Sequence, residues 1–200
     1  VSLSRFRVLN VEMGSEGPKR VTIHNYFESR GLPTGVSLGS CTVLESAGVG
    51  VLPKLYKVLE SGLSSINNSS NEEVVWLHLG LNSGVLKFAI ERQAVNEATF
   101  RCPDELGWQP QQSPIVPGDG GIAQARETNS VLGAVSKYQG SWTIGHGRFV
   151  CNYVYYHSLR FAEEKGHKSL FVHVPLFSSI NEEAQVKFTA ALLEAIASTC

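Results

Sequence analysis

Short β-branched or apolar runs alternate along this chain with stretches of helical periodicity, and few folds accommodate that alternation. The strand candidates are Val21-Thr22-Ile23-His24, Val36 to Leu44, Glu73 to Leu79, Phe88 to Val95 and Ser169 to Val174. Between them, Leu52, Tyr56, Leu59 and Leu63 recur at helical spacing, with Pro53 suited to a first helical turn. Val150, Val154, Leu159 and Ala162 make a second helical stripe. Asn181 caps a last helix with Glu182 and Glu183 in its first turn and Phe188, Ala191, Leu192 and Ala195 on its apolar face. The run Glu73 to Leu79 is mostly apolar rather than alternating, as expected of a strand covered on both faces. The pattern predicts an α/β fold: a three-layer sandwich with a central, mostly parallel or mixed sheet flanked by helices. In such folds chemistry gathers at the carboxyl ends of the strands.

The 200 residues are expected to form one domain over 1–200, long enough to bury a core without metals or disulfides. A formal net charge of -1 offers no electrostatic footprint for nucleic acid or an anionic membrane. No apolar run approaches the roughly 18 residues of a membrane span. Val1 to Asn10 lacks the apolar block of a secretory signal. Met13-Gly14-Ser15 reads as a translation start, so residues 1–12 are expected to have no fold role and residues 1–19 to be a flexible extension. The polar run Ser64 to Asn71 reads as a surface loop. The cysteines Cys41, Cys102, Cys151 and Cys200 form no C-x-x-C pair and read as free thiols in a reducing cytoplasm. The histidines show no metal-ligand spacing, and Gly118 to Gly121 make no dinucleotide fingerprint.

Cys151 is the sharpest candidate for chemistry. It lies in Gly147-Arg148-Phe149-Val150-Cys151-Asn152, where a loop becomes a helix. There a thiol faces unpaired N–H groups and the positive end of the helix dipole, so its pKa is expected to be depressed. The same N–H groups suit an oxyanion. By residue type alone, Cys151 also reads as a small buried hydrophobe. His173, inside the apolar run Phe171-Val172-His173-Val174-Pro175, taken alone reads better as a core histidine satisfied by a carbonyl. Glu91, between Ile90 and Arg92, reads equally as half of a solvated ion pair.

Taken together these segments say more. Gly80-Leu81-Asn82-Ser83-Gly84, Ile90-Glu91-Arg92-Gln93-Ala94-Val95-Asn96 and Phe100-Arg101-Cys102-Pro103-Asp104 resemble the glutamate signature of pyroglutamyl-peptidase I. Gly147 to Asn152 resembles that family's cysteine signature and Leu170 to Pro175 its histidine segment, in the same order. The resemblance implies a cysteine peptidase that removes N-terminal pyroglutamate from peptides. It implies Cys151 as nucleophile, His173 as its base and Glu91 as the residue orienting the imidazole. Arg101 matches an arginine near the oxyanion, and Phe149 an aromatic lining the pyroglutamyl pocket. It implies no cofactor and no metal. Peptides with N-terminal pyroglutamate are the implied partners, and a homo-oligomer is compatible with it.

Two regions depart from the family. Val21 to His24 runs directly into Asn25-Tyr26-Phe27-Glu28-Ser29, without the glycine- and phenylalanine-containing loop whose aromatics clamp the lactam in relatives. The stretch Asn129 to His146 is also altered, although Ser141-Trp142-Thr143-Ile144 retains strand character. The alternative expectation is therefore a weak or inactive homologue kept as a binding or vestigial protein.

Overall fold

The computed structural model describes residues 5–13, 29–32, 36–64, 72–124, 141–143 and 147–198. Eight strands are present among them: β1 (Arg5–Met13), β2 (Val36–Leu44), β3 (Glu72–Leu81), β4 (Ala89–Glu91), β5 (Gln93–Val95), β6 (Ile122–Gln124), β7 (Ser141–Thr143) and β8 (Lys168–Val174). Three α-helices accompany them: α1 (Leu52–Ser64), α2 (Val150–Lys165) and α3 (Glu182–Ser198). The main sheet has the order β2-β1-β3-β8-β4-β7, and β5 pairs with β6 in a separate two-stranded sheet. β1, β2, β3 and β8 are mutually parallel, while β4 runs antiparallel to β8 and parallel to β7. The expected mixed sheet is therefore present, with helices on both of its faces.

The layering follows from the alternation of side chains along a strand. On β3, Val74 and Trp76 join the core with Leu55 and Leu59 of α1, Tyr153 and Val154 of α2, and Phe171 of β8. The intervening Val75, Leu77 and Leu79 join the other core with Val172 of β8 and Phe188, Leu192 and Ile196 of α3. Both faces are covered, which is why β3 reads as a continuous apolar run. Phe88 stacks on Phe188 at 3.7 Å between ring centroids and ties the approach to β4 to α3.

The helix ends follow local chemistry. The Asn181 carboxamide oxygen accepts the Ala184 N–H at 2.9 Å and caps α3, as its residue type implies. α2 ends on Gly166, whose φ of 72° is left-handed and suits a residue without Cβ. Its start, Phe149, is extended and provides no side-chain cap.

The expectation that residues 1–12 have no fold role requires correction. Arg5–Met13 form β1, paired on one side with β2 and on the other with β3. Its β-branched and aromatic members, Phe6, Val8 and Val11, suit a strand, and the argument from a translation start carried no information about pairing. The candidate Phe88 to Val95 also divides: β4 belongs to the main sheet and β5 to the small one, with Arg92 between them. The strand candidate Val21 to His24, the adjacent departure from the family, and the polar run beyond Ser64 lie outside the described residues.

Candidate active site

The site begins with register. β4 and β8 pair antiparallel, with Ala89 opposite His173 and Glu91 opposite Phe171. Glu91 and His173 thus occupy one sheet face as a diagonal cross-strand pair, within reach of long side chains. Oε1 of Glu91 lies 3.1 Å from Nε2 of His173. Both side chains are largely withdrawn from solvent, at 9% and 15% exposure respectively. Glu91 is therefore not half of a solvated surface pair.

β3 supplies the next layer. Gly80 is the register partner of His173, and His78 that of Phe171. A Cβ added to Gly80 would come 2.5 Å from Cζ of Phe171 and 3.4 Å from Sγ of Cys151. The cysteine sulfur thus sits over the one strand residue beside His173 that has no side chain. Phe171 lies between the two histidine rings of this face, stacked on His78 at 6.0 Å and tilted against His173 at 5.0 Å.

Cys151 is the second residue of α2, as the loop-to-helix reading requires. Its chemistry differs from the expectation. Burial, followed by the charge of Glu91, pushes the thiol up to about 12, against a smaller lowering by its own backbone N–H. This opposes the predicted depression by the helix terminus: withdrawal of the partly buried thiolate from water and the nearby carboxylate both act against the N–H groups. On His173, Nδ1 is buried and has no hydrogen-bond partner. The nitrogen turned away from Glu91 is thus the one left open.

Arg101 and Phe149 meet at the edge of this arrangement. The Arg101 guanidinium carbon stands 5.7 Å from the centre of the Phe149 ring. Phe149 in turn packs on Phe100 at 4.8 Å. Arg101 is exposed and Phe149 half-buried, so the aromatic carries the apolar wall and the guanidinium stays at the surface.

Two further residues of α2 also belong here: Asn152, which the cysteine motif includes without a role, and Tyr155, which sequence reading did not single out. Tyr155, four residues after Cys151, donates its hydroxyl to the carbonyl of Glu91 at 3.1 Å. Asn152 accepts the Val95 N–H at 2.8 Å and donates to the carbonyls of Val95 at 2.9 Å and Glu97 at 3.1 Å. The helical i, i+4 relation to Cys151 was a usable signal for Tyr155. Nothing local marked Asn152, whose partners lie 57 and 55 positions away. Among the described residues no group of three or more His, Cys, Asp or Glu side chains is arranged to hold a metal ion, and no helix is long and apolar enough to cross a membrane.

Comparison with known proteins bears directly on this arrangement. The family model described as pyroglutamyl peptidase matches residues 34–192. The pyrrolidone-carboxylate peptidase of Pyrococcus furiosus is 31% identical over 149 residues, covering 70% of this chain and 68% of that protein. That of Clavibacter michiganensis is 31% identical over 132 residues, covering 62% of this chain and 60% of that protein. Among solved structures, the pyrrolidone carboxyl peptidase of Thermococcus litoralis superposes with a TM-score of 0.76 at 21% identity, covering 94% of this chain and 92% of that one. That of Fervidobacterium islandicum gives a TM-score of 0.76 at 22% identity, covering 98% and 100%. At such identities the structural likeness establishes the fold. The match of a single family model to most of the chain establishes descent as well, and the chain belongs to the pyroglutamyl peptidase family of cysteine peptidases.

Proposed function

We propose that this chain removes N-terminal pyroglutamate from peptides, with Cys151 as nucleophile, His173 as general base and Glu91 as the group that orients the imidazole. One observation carries the reading. Glu91 engages Nε2 of His173, Nδ1 is left open, and the Cys151 sulfur lies over the glycine beside that histidine. A carboxylate accepting the Nε2 proton fixes the tautomer whose lone pair is on Nδ1.

The chemistry then follows from proton positions. Nδ1 takes the thiol proton as sulfur attacks the acyl carbonyl of the pyroglutamyl residue, forming a C–S bond and a tetrahedral oxyanion. The peptide C–N bond breaks as His173 returns the proton to the leaving amine. Water, deprotonated by His173, then hydrolyses the thioester and regenerates the thiol. The Cys151 N–H and Arg101 are the proposed oxyanion donors, and Phe149 supplies apolar wall for the flat lactam. Burial and the Glu91 charge favour the neutral thiol, so the reading has His173 take the thiol proton as sulfur attacks.

The test is hydrolysis of a fluorogenic pyroglutamyl amide by the full chain and by Cys151→Ala. Turnover lost in Cys151→Ala supports the reading; turnover retained in that variant overturns it. A second reading, a weakly active or inactive homologue, draws support from the neutral thiol and from the departure after His24. It leads to turnover far below that of a bacterial relative assayed in parallel, rising when the glycine- and phenylalanine-containing loop is inserted after His24.

A further inference from the structure

We propose that Asn152 is a positioning residue that sets the nucleophile's helix against the segment bearing Glu91. This rests on the Cys151–His173–Glu91 reading and extends it. Asn152 directly follows Cys151, and its carboxamide is buried. Its oxygen takes the Val95 N–H and its nitrogen serves the carbonyls of both Val95 and Glu97. One side chain thus satisfies three backbone groups of β5 and the turn after it, on the side that β6 does not cover. One turn along the same helix face, Tyr155 holds the Glu91 carbonyl. α2 therefore grips the Glu91–Glu97 stretch at both ends, and Glu91, held at one of those ends, carries the carboxylate that touches His173.

The consequence is geometric. Glu91 is held from the sheet side by pairing with Phe171, and Cys151 from the helix side by the fold of α2. The bonds of Asn152 and Tyr155 are direct polar links between those two bodies. Apolar packing between α2 and the sheet tolerates sliding, and the Ser158 hydroxyl links α2 to His78 and Ser169 of the sheet at 2.8 Å, whereas the bonds of Asn152 and Tyr155 reach the Glu91–Glu97 stretch itself. The Arg148–Glu97 ion pair at 2.9 Å and the Thr99 N–H bond to the Arg148 carbonyl at 3.0 Å lie just outside and do not reach Glu91.

Misplacement by about an ångström costs on the order of 100-fold when reacting groups are rigidly held. The experiment measures the rate at which iodoacetamide alkylates Cys151 in the intact chain, followed by mass spectrometry of the Cys151 peptide. It compares parent, Asn152→Ala, His173→Ala and the double variant. Asn152→Ala is expected to slow alkylation by about tenfold or more in the parent and less than about twofold once His173 is absent, because its effect passes through the base. A residue that merely stabilises the fold would act equally in both backgrounds, and that result overturns the inference. So does an Asn152→Ala variant that alkylates at the parent rate. If His173→Ala itself leaves alkylation and turnover unchanged, the triad reading has failed, not the positioning inference alone. Should Asn152→Ala not fold, Tyr155→Phe removes the other grip while keeping the ring, and must show the same dependence on His173.

Discussion

Nε2 of His173 and Oε1 of Glu91 meet at 3.1 Å across a pair of antiparallel strands, one of them only three residues long. β4 reverses direction within an otherwise parallel neighbourhood, and that reversal brings a carboxylate from the middle of the chain onto the face where β8 presents its histidine. On the proposed reading the carboxylate holds the proton on one nitrogen and frees the other, so its loss should be felt in the chemical step.

Glu91→Gln is expected to lower kcat by roughly 100- to 10,000-fold with KM little changed, because a carboxamide can donate to the imidazole and favour the wrong tautomer. Steady-state kinetics on a fluorogenic pyroglutamyl amide check this. A Glu91→Gln variant with parental kcat would show that the ion pair is structural.

Cys151 should be a poor nucleophile towards small reagents at rest. Burial and the Glu91 charge both favour the neutral thiol, so its ionisation requires a pH above the ordinary cysteine range. Near neutral pH, iodoacetamide should label exposed Cys102 before Cys151, and the Cys151 rate should keep rising as the solution is made alkaline. Preferential labelling of Cys151 at pH 6.5 would instead reveal a thiolate–imidazolium pair, restoring the expectation drawn from the helix terminus.

Gly80→Ala tests the seat of the sulfur. The added Cβ meets the Phe171 ring at 2.5 Å and Cys151 at 3.4 Å. Phe171 cannot retreat easily, being fully buried and backed by the stacked His78 ring. The expected loss is about 1–3 kcal/mol in urea unfolding, as for other overpacked cores, together with a fall in kcat as the sulfur is displaced. Unchanged stability and turnover would mean that the site tolerates a wider spacing than the geometry implies.

Two buried histidines are expected to make the fold sensitive to mild acid. Desolvation lowers His78 to about 3 and His157 to about 4. The folded values lie below the unfolded one, so their contribution is present above about pH 6.5 and is lost as pH falls towards the folded values. Between pH 7 and pH 5 urea unfolding should show a decrease of about 2–4 kcal/mol from this pair. His78 is committed as a neutral ring, bonded at Nε2 to Ser158, which in turn meets Ser169, both at 2.8 Å. His157 is bonded at Nδ1 to the Tyr56 hydroxyl at 3.0 Å. A flat profile between pH 7 and pH 5 would show that both accept a proton without leaving the core.

Local sequence determined many of the elements and marked the candidate reactive groups. Val36 to Leu44 is a strand, Asn181 caps α3, and Cys151 stands at the start of α2, because periodicity, capping and turn chemistry act over a few residues. The family signatures likewise lie in contiguous segments, so Glu91, Cys151 and His173 were visible one by one. Tertiary structure decided how they meet. The apolar stripe of α2 gave no hint that Asn152, Tyr155 and Ser158 on other faces are also buried, because the covering layers come from β5, β6 and the sheet, distant in sequence. The strand reading of Phe88 to Val95 could not reveal the break at Arg92, since alternation does not say which sheet a strand joins. The thiol's protonation was decided by the same remoteness. A helix terminus is a local feature that lowers a pKa, but burial and the approach of a carboxylate 60 residues away depend on packing, and in this protein packing dominates.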